Sequence, residues 1–193
     1  MKLNFIRPLF LTLAVATTAP IAAIAQSPEG LSRDAQAQML GKLWVDTCAK
    51  HFPNPEALRS AAKSFNFQQD PPYAAELLAG KGGTVWDASI GNLAQFSVVL
   101  LNDGSCKVLA RRASSGPVVA VFEKVLQDIR TPGVSVERVV DREVGQSGQK
   151  FRQIAYFLSR TGADNGWAFV ATVSESENVP IQATISTSRS QKP

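Results

Sequence analysis

The chain has 193 residues, with 20 Lys and Arg against 16 Asp and Glu, one histidine and two cysteines. A charge balance this even argues against nucleic-acid binding, which normally needs a stripe of Lys and Arg on one face. One His and two Cys far apart match no zinc spacing, so neither a metal nor a cofactor is expected.

The first 25 residues read as a secretory signal. Lys2 and Arg7 give a positive start, Leu9 to Ala16 an apolar run, and Ala23-Ile24-Ala25 a small-x-small site cut before Gln26. The run is shorter than the about 20 residues that span a bilayer, and every later stretch of that length holds a charge or a turn signal. A soluble periplasmic protein of a Gram-negative cell is expected, with no membrane span. Cleavage leaves 168 residues and, without Lys2 and Arg7, 18 basic against 16 acidic ones. That length suits one ordinary domain. Residues 26–31 read as a lead-in, 32–187 as a single globular domain and 188–193 as a flexible tail.

Ser32 caps a first helix whose Ala35, Met39, Leu40, Leu43, Trp44, Thr47 and Cys48 recur at three- and four-residue spacings. Pro53 stops it. Asn54-Pro55-Glu56 opens a second helix with a cap, a first-position proline and an acid in the first turn, followed by Leu58, Ala61, Ala62 and Phe65. Asp70-Pro71-Pro72 opens a short third helix, Tyr73 to Ala79, closed by Gly80.

Past Lys81-Gly82-Gly83 the apolar period shortens toward two. Thr84 to Ala88 and Leu93 to Leu101 read as strands, Asn102-Asp103-Gly104 as a tight turn and Ser105 to Arg111 as the returning strand. Val118, Val119, Phe122, Val125, Leu126 and Ile129 form the stripe of a fourth helix. Strands follow at Val134 to Glu143, Phe151 to Ser159 and Trp167 to Val173, the last apolar on both faces and therefore central. Ile181, Ala183 and Ile185 fit either a strand or a short helix. The fold class is α+β: N-terminal helices packed on one face of an antiparallel sheet of five to six strands, with one further helix between hairpins.

Cys48 on the inner face of the first helix and Cys106 on a hairpin strand are the two cysteines of a chain bound for an oxidising compartment, and a structural disulfide is expected between them. It closes a loop of about 59 residues, for which chain entropy gives about 4 kcal/mol. Cys48 and His51, three apart on a helix, are weighed as a thiol site, but a catalytic base usually comes from another element and there is no Cys-x-x-Cys. His51 is better placed at a helix end, favourably with its dipole.

No catalytic residue is assigned. Ser114-Ser115-Gly116 lacks the Gly-x-Ser-x-Gly frame and reads as a helix cap, and Gly80 to Gly83 lacks the phosphate-loop pattern. Asp141 with Glu143, and Glu175 with Glu177, are carboxylates two apart, which solvated sheet edges contain routinely. Trp44, Trp86 and Trp167 sit inside apolar patterns and read as core.

Several segments recur in order in a proteobacterial group: Thr47-Cys48 closing an amphipathic helix, Leu58, Trp86 after a Gly-rich turn, Gly104-Ser105-Cys106-Lys107-Val108, Ala110-Arg111, Phe122, Tyr156 and Pro180-Ile181-Gln182-Ala183. On these the chain resembles a family of small exported proteins with one cysteine pair and no known activity. The resemblance implies a one-domain periplasmic protein bridged between Cys48 and Cys106.

Three function classes stay open. The first is a binding or accessory protein of the cell envelope, presenting a groove or sheet face to an envelope protein or to cell-wall material. An inhibitor or immunity-type protein against a periplasmic hydrolase is the second, and it requires loop-borne Arg111, Arg112 and Asp164 exposed at one end. The third is a hydrolase built on carboxylates that converge from distant positions.

Overall fold

The structure, a computed structural model, describes residues 30–192 apart from Ser147. The signal peptide expected over residues 1–25 and most of the lead-in lie outside the described residues.

Ser32 accepts the Ala35 N–H at 3.2 Å and so starts α1 (Arg33–Trp44). The helix widens into a π turn over Val45–Ala49, where the Lys50 N–H reaches back five residues to the Val45 carbonyl. There the Thr47 hydroxyl donates to the Leu43 carbonyl at 2.6 Å. α2 (Pro55–Ser64) is capped as expected, since Asn54 Oδ1 accepts the Glu56 and Ala57 N–H groups, both at 3.1 Å. A two-residue β1 (Gln68–Gln69) and α3 (Ala74–Leu78) follow. α3 ends on Ala79, itself left-handed at φ 48°, one residue before the expected Gly80.

β2 (Gly83–Asp87), β3 (Phe96–Leu101) and β4 (Cys106–Ala110) form a meander. α4 (Ser115–Asp128) then crosses to the far edge. Pro117 falls in its first turn, where a missing N–H costs nothing. Ser114 takes the capping position without a side-chain bond to the helix. A second meander returns through β5 (Val134–Gln146), β6 (Gln149–Arg160), β7 (Asn165–Val173) and β8 (Ala183–Gln191). The eight strands are antiparallel in the order β1-β2-β3-β4-β8-β7-β6-β5, so the last strand closes against β4 in the middle of the sheet.

The fold is thus α+β with three corrections. The sheet has eight strands rather than five or six, because the undecided Ile181–Ile185 region becomes a strand and the polar pair Gln68–Gln69 pairs with Asp87 and Trp86. The expected flexible tail is largely ordered: Ser188 to Gln191 pair with Ala168 to Asn165, since their backbone groups complete the ladder of β7. Finally, the helices are not all on one face.

One face carries the main core, where Leu40, Trp44 and Cys48 meet Phe122 and Leu126 of α4 and the sheet residues Val98, Val108, Ile185, Phe169 and Ile154. Trp44 is its hub, with ring centroids 5.6 Å from Phe122 and 5.7 Å from Phe169. α1 and α4 approach closely because Gly41 has no side chain: a Cβ there would lie 2.1 Å from Val121 Cγ1. On the opposite face, Tyr73, Leu77 and Leu78 of the α3 segment cover Val85, Val99 and Leu109. β2, β3 and β4 are therefore buried on both sides, which is why Phe96 to Leu101 reads as an apolar run.

Cys48 and Cys106 are bonded, with Cα atoms 5.5 Å apart and a separation of 58 positions in sequence. The bond ties the π turn to the start of β4. Among the described residues no helix is long and apolar enough to cross a membrane.

Candidate functional site

The candidate binding residue Arg111 continues β4 past its last paired residue, its N–H donating to the Gln95 carbonyl at 3.1 Å. The buried Gln182 fixes the loop after it. Its Oε1 accepts the Ala113 N–H at 3.2 Å, its Nε2 donates to the Ser176 carbonyl at 3.1 Å, and its own N–H bonds the Ala110 carbonyl. Arg111 and Arg112 consequently project from a braced corner, both exposed.

Two cavities meet at that corner and share Gln95, Arg111 and Pro180. The wider, about 620 Å³, lies between the start of α1, the Asn92–Gln95 turn and the Glu177–Gln182 loop, and three guanidinium groups line it: Arg33, Arg111 and Arg112. Glu177 supplies its one carboxylate. Arg33 Nη1 donates to Glu177 Oε1 at 3.1 Å, but Glu177 is 80 % exposed, so the pair is weak. Arg33 Nε and Nη2 are shut off from water and have no acceptor. Neither Arg111 nor Arg112 is in an ion pair among the described residues. The cleft is therefore rich in positive charge that the protein itself leaves largely unmatched.

The smaller cavity, about 90 Å³, opens on the face covered by α3. Leu77, Leu109 and Ile181 give it apolar walls, and its charged lining is Asp87, Glu76 and Arg111, with Ser97 and Tyr73 among its neutral polar groups. Ser97 Oγ donates to the Tyr73 hydroxyl at 3.5 Å. Burial, reinforced by the nearby Asp87 carboxylate against the opposing Ser97 bond, pushes the Tyr73 phenol above its usual range, so it stays a donor.

The third candidate, Asp164, is elsewhere. It lies in the β6–β7 turn, where its carbonyl accepts the Lys192 N–H at 2.7 Å. Ala110 pairs with Ala183 at one end of β8 and Asn165 with Gln191 at the other, so about eight residues, or about 26 Å, separate Asp164 from Arg111. The grouping of Arg111, Arg112 and Asp164 at one end is corrected: the turns that carry them cap opposite ends of the strands.

Of the remaining sequence candidates, the tryptophans and Asp141 are engaged within the structure, whereas Glu143 and Glu175 line a third cavity, about 590 Å³, and neither is in an ion pair among the described residues. Trp44 and Trp86 are core residues, and Trp167 packs edge-on against Phe52 at 6.3 Å. Asp141 is drawn into a network at the outer edge of the helix-covered face. There Arg152 holds it through Nε at 2.9 Å and Nη2 at 3.0 Å, and Arg138 through Nη1 at 3.0 Å. The Arg152 bond holds its carboxyl below the usual range. A bulge between Arg138 and Val140 lets Arg138 share that face and reach Tyr156 at 2.9 Å and Glu123. Among the described residues no three of His, Cys, Asp and Glu come together as metal ligands.

Arg33 and Asp87 were not singled out from the sequence. A signal for Arg33 does exist: it is a cation at the first position of a helix, where the dipole favours an acid. No known protein-family profile matches the chain, and no curated protein is significantly similar to it.

Proposed function

We propose that the protein is an exported, non-catalytic binding protein of the cell envelope, and that it takes a carboxylate- or phosphate-bearing ligand or partner in the cleft lined by Arg33, Arg111 and Arg112. The observation that carries this reading is the surplus of guanidinium groups over carboxylates in one braced cleft, with two Arg33 nitrogens lacking any acceptor. An anion replacing Glu177 on Arg33 Nη1 also meets the unpaired Arg111 and Arg112, and bidentate geometry makes arginine the residue for such groups. The disulfide supports an oxidising location.

The inhibitor reading loses its motivation with Asp164 at the far end of the sheet. A carboxylate hydrolase needs free, convergent acids: Asp141 and Glu123 are engaged by arginines, which leaves Glu143 and Glu175, lining one cavity of about 590 Å³, as the candidate pair among the acids weighed from the sequence.

Titration of the full-length protein with inorganic phosphate, acetate and a short acidic peptide, followed by amide chemical shifts, tests the proposal. Shifts clustered at Leu31, Gln95 and Ala113, lost in an Arg111→Gln/Arg112→Gln variant and enhanced in Glu177→Gln, are expected. Shifts that are absent, or identical in the double variant, overturn it. Cell fractionation that leaves the full-length chain in the cytoplasm overturns the envelope assignment.

A further inference from the structure

The small cavity beside the cleft holds both signs of charge. Asp87 faces Ser97 across the β2–β3 ladder, and Ser97 faces Leu109 across β3–β4, so Asp87, Ser97 and Leu109 form one row on the α3 side of the sheet. Arg111 lies two residues beyond Leu109 on the same side. Two strand spacings and two residues along put the Cα atoms of Asp87 and Arg111 about 12 Å apart. Both side chains line the cavity, yet among the described residues no ion pair joins them. Asp87 Oδ1 accepts the Ser89 N–H at 2.8 Å, which anchors the carboxylate at the cavity rim.

Opposite charges held apart around a shared hollow, and not collapsed onto each other, match a ligand with its own anion and cation at short range. We infer that this cavity binds a small zwitterionic α-amino acid, its carboxylate on Arg111 and its ammonium on Asp87. In such a molecule one carbon separates the two charged groups, so both partners are met at once. The volume, about 90 Å³, is small beside the 620 Å³ of the adjoining cleft, which favours glycine, alanine or serine over a leucine or an aromatic side chain. Leu77, Leu109 and Ile181 contact the small side chain.

The inference rests on Arg111 as an anion-binding group, and its test separates the two ideas. Full-length protein is titrated calorimetrically with glycine, alanine, serine and leucine, and with propionate, which has the carboxylate but no ammonium. Asp87→Asn keeps an oxygen for the Ser89 N–H and removes only the charge, and Arg111→Gln removes the other partner. Circular dichroism shows whether each variant keeps the fold.

Alanine is expected to bind at least tenfold more tightly than propionate and than leucine. Asp87→Asn is expected to erase the advantage over propionate without weakening propionate itself, and Arg111→Gln to weaken both. Equal binding of alanine and propionate, unmoved by Asp87→Asn, overturns the amino-acid site and leaves the anion cleft standing. Failure of alanine and propionate alike, together with no phosphate response at Arg111, overturns both.

Discussion

The Trp44 indole N–H donates to the Thr187 hydroxyl at 2.9 Å, a buried bond that joins the first helix to the last strand across 143 residues of chain. Both side chains are fully buried. Thr187→Val keeps the shape but leaves the indole N–H unpaired, and should cost about 1–3 kcal/mol in urea unfolding. Thr187→Ser restores an acceptor and should recover part of that loss. Equal stability of the valine and serine variants would show that the bond contributes nothing.

The disulfide should protect every thiol in the native protein, so a thiol reagent finds no reactive group until the fold is reduced. Cys48→Ala/Cys106→Ala is expected to lower stability by about 4 kcal/mol, reflecting the long loop that the bond closes. The measurement is a denaturant midpoint with and without the bond.

Gly41→Ala would ordinarily strengthen a helix by about 1 kcal/mol. Here the new methyl meets Val121, so the substitution should destabilise, and the helices must separate to admit it. Combining it with Val121→Ala should recover stability relative to the sum of the single changes. Additive behaviour in that double-mutant cycle would refute the contact.

Lys42 and Lys50, one turn either side of Asp46, hold its carboxyl below the usual range. A folded-state value below the unfolded one means stability that is present above about pH 4 and lost as pH falls through the folded value. Asp46→Asn should therefore reduce stability at neutral pH, with the gap to the parent protein closing in acid. A gap that stays constant from pH 7 to pH 2 would show that the lysines do not act through this charge.

Gln182→Leu removes the acceptor for the Ala113 N–H and the brace on the arginine corner. Amide hydrogen exchange at Ala113 and Ser114 should accelerate, and anion binding in the cleft should weaken even though no arginine has changed.

Local signals proved legible where a single residue does the local work. Ser32 and Asn54 cap their helices, Gly104 takes φ 84° in the turn before Ser105, and Cys48 and Cys106 meet. The position of α3 was hidden because a five-residue helix has too few apolar positions to declare a face. Lys107 hid it further: a charged residue reads as solvent-facing, yet its ammonium donates to the Leu77 carbonyl at 3.1 Å beneath that helix. The cleft was legible only at Arg111 and Arg112, since Arg33, Gln95 and Glu177 come from separate segments that pairing alone brings together. Asp164 was misplaced because a turn residue looks the same in sequence at either end of a strand.

β8 is the final strand in chain order and sits at the centre of the sheet, against β4 on one side and β7 on the other. Until it arrives, β4 presents a bare backbone edge and the two meanders are separate pieces. Folding thus waits on the most non-local pairing in the molecule, Cys106 opposite Thr187, which makes the process slow by topology. The sheet is continuous only once β8 has paired on both sides, so a lesion in this one strand would split the molecule into two meanders.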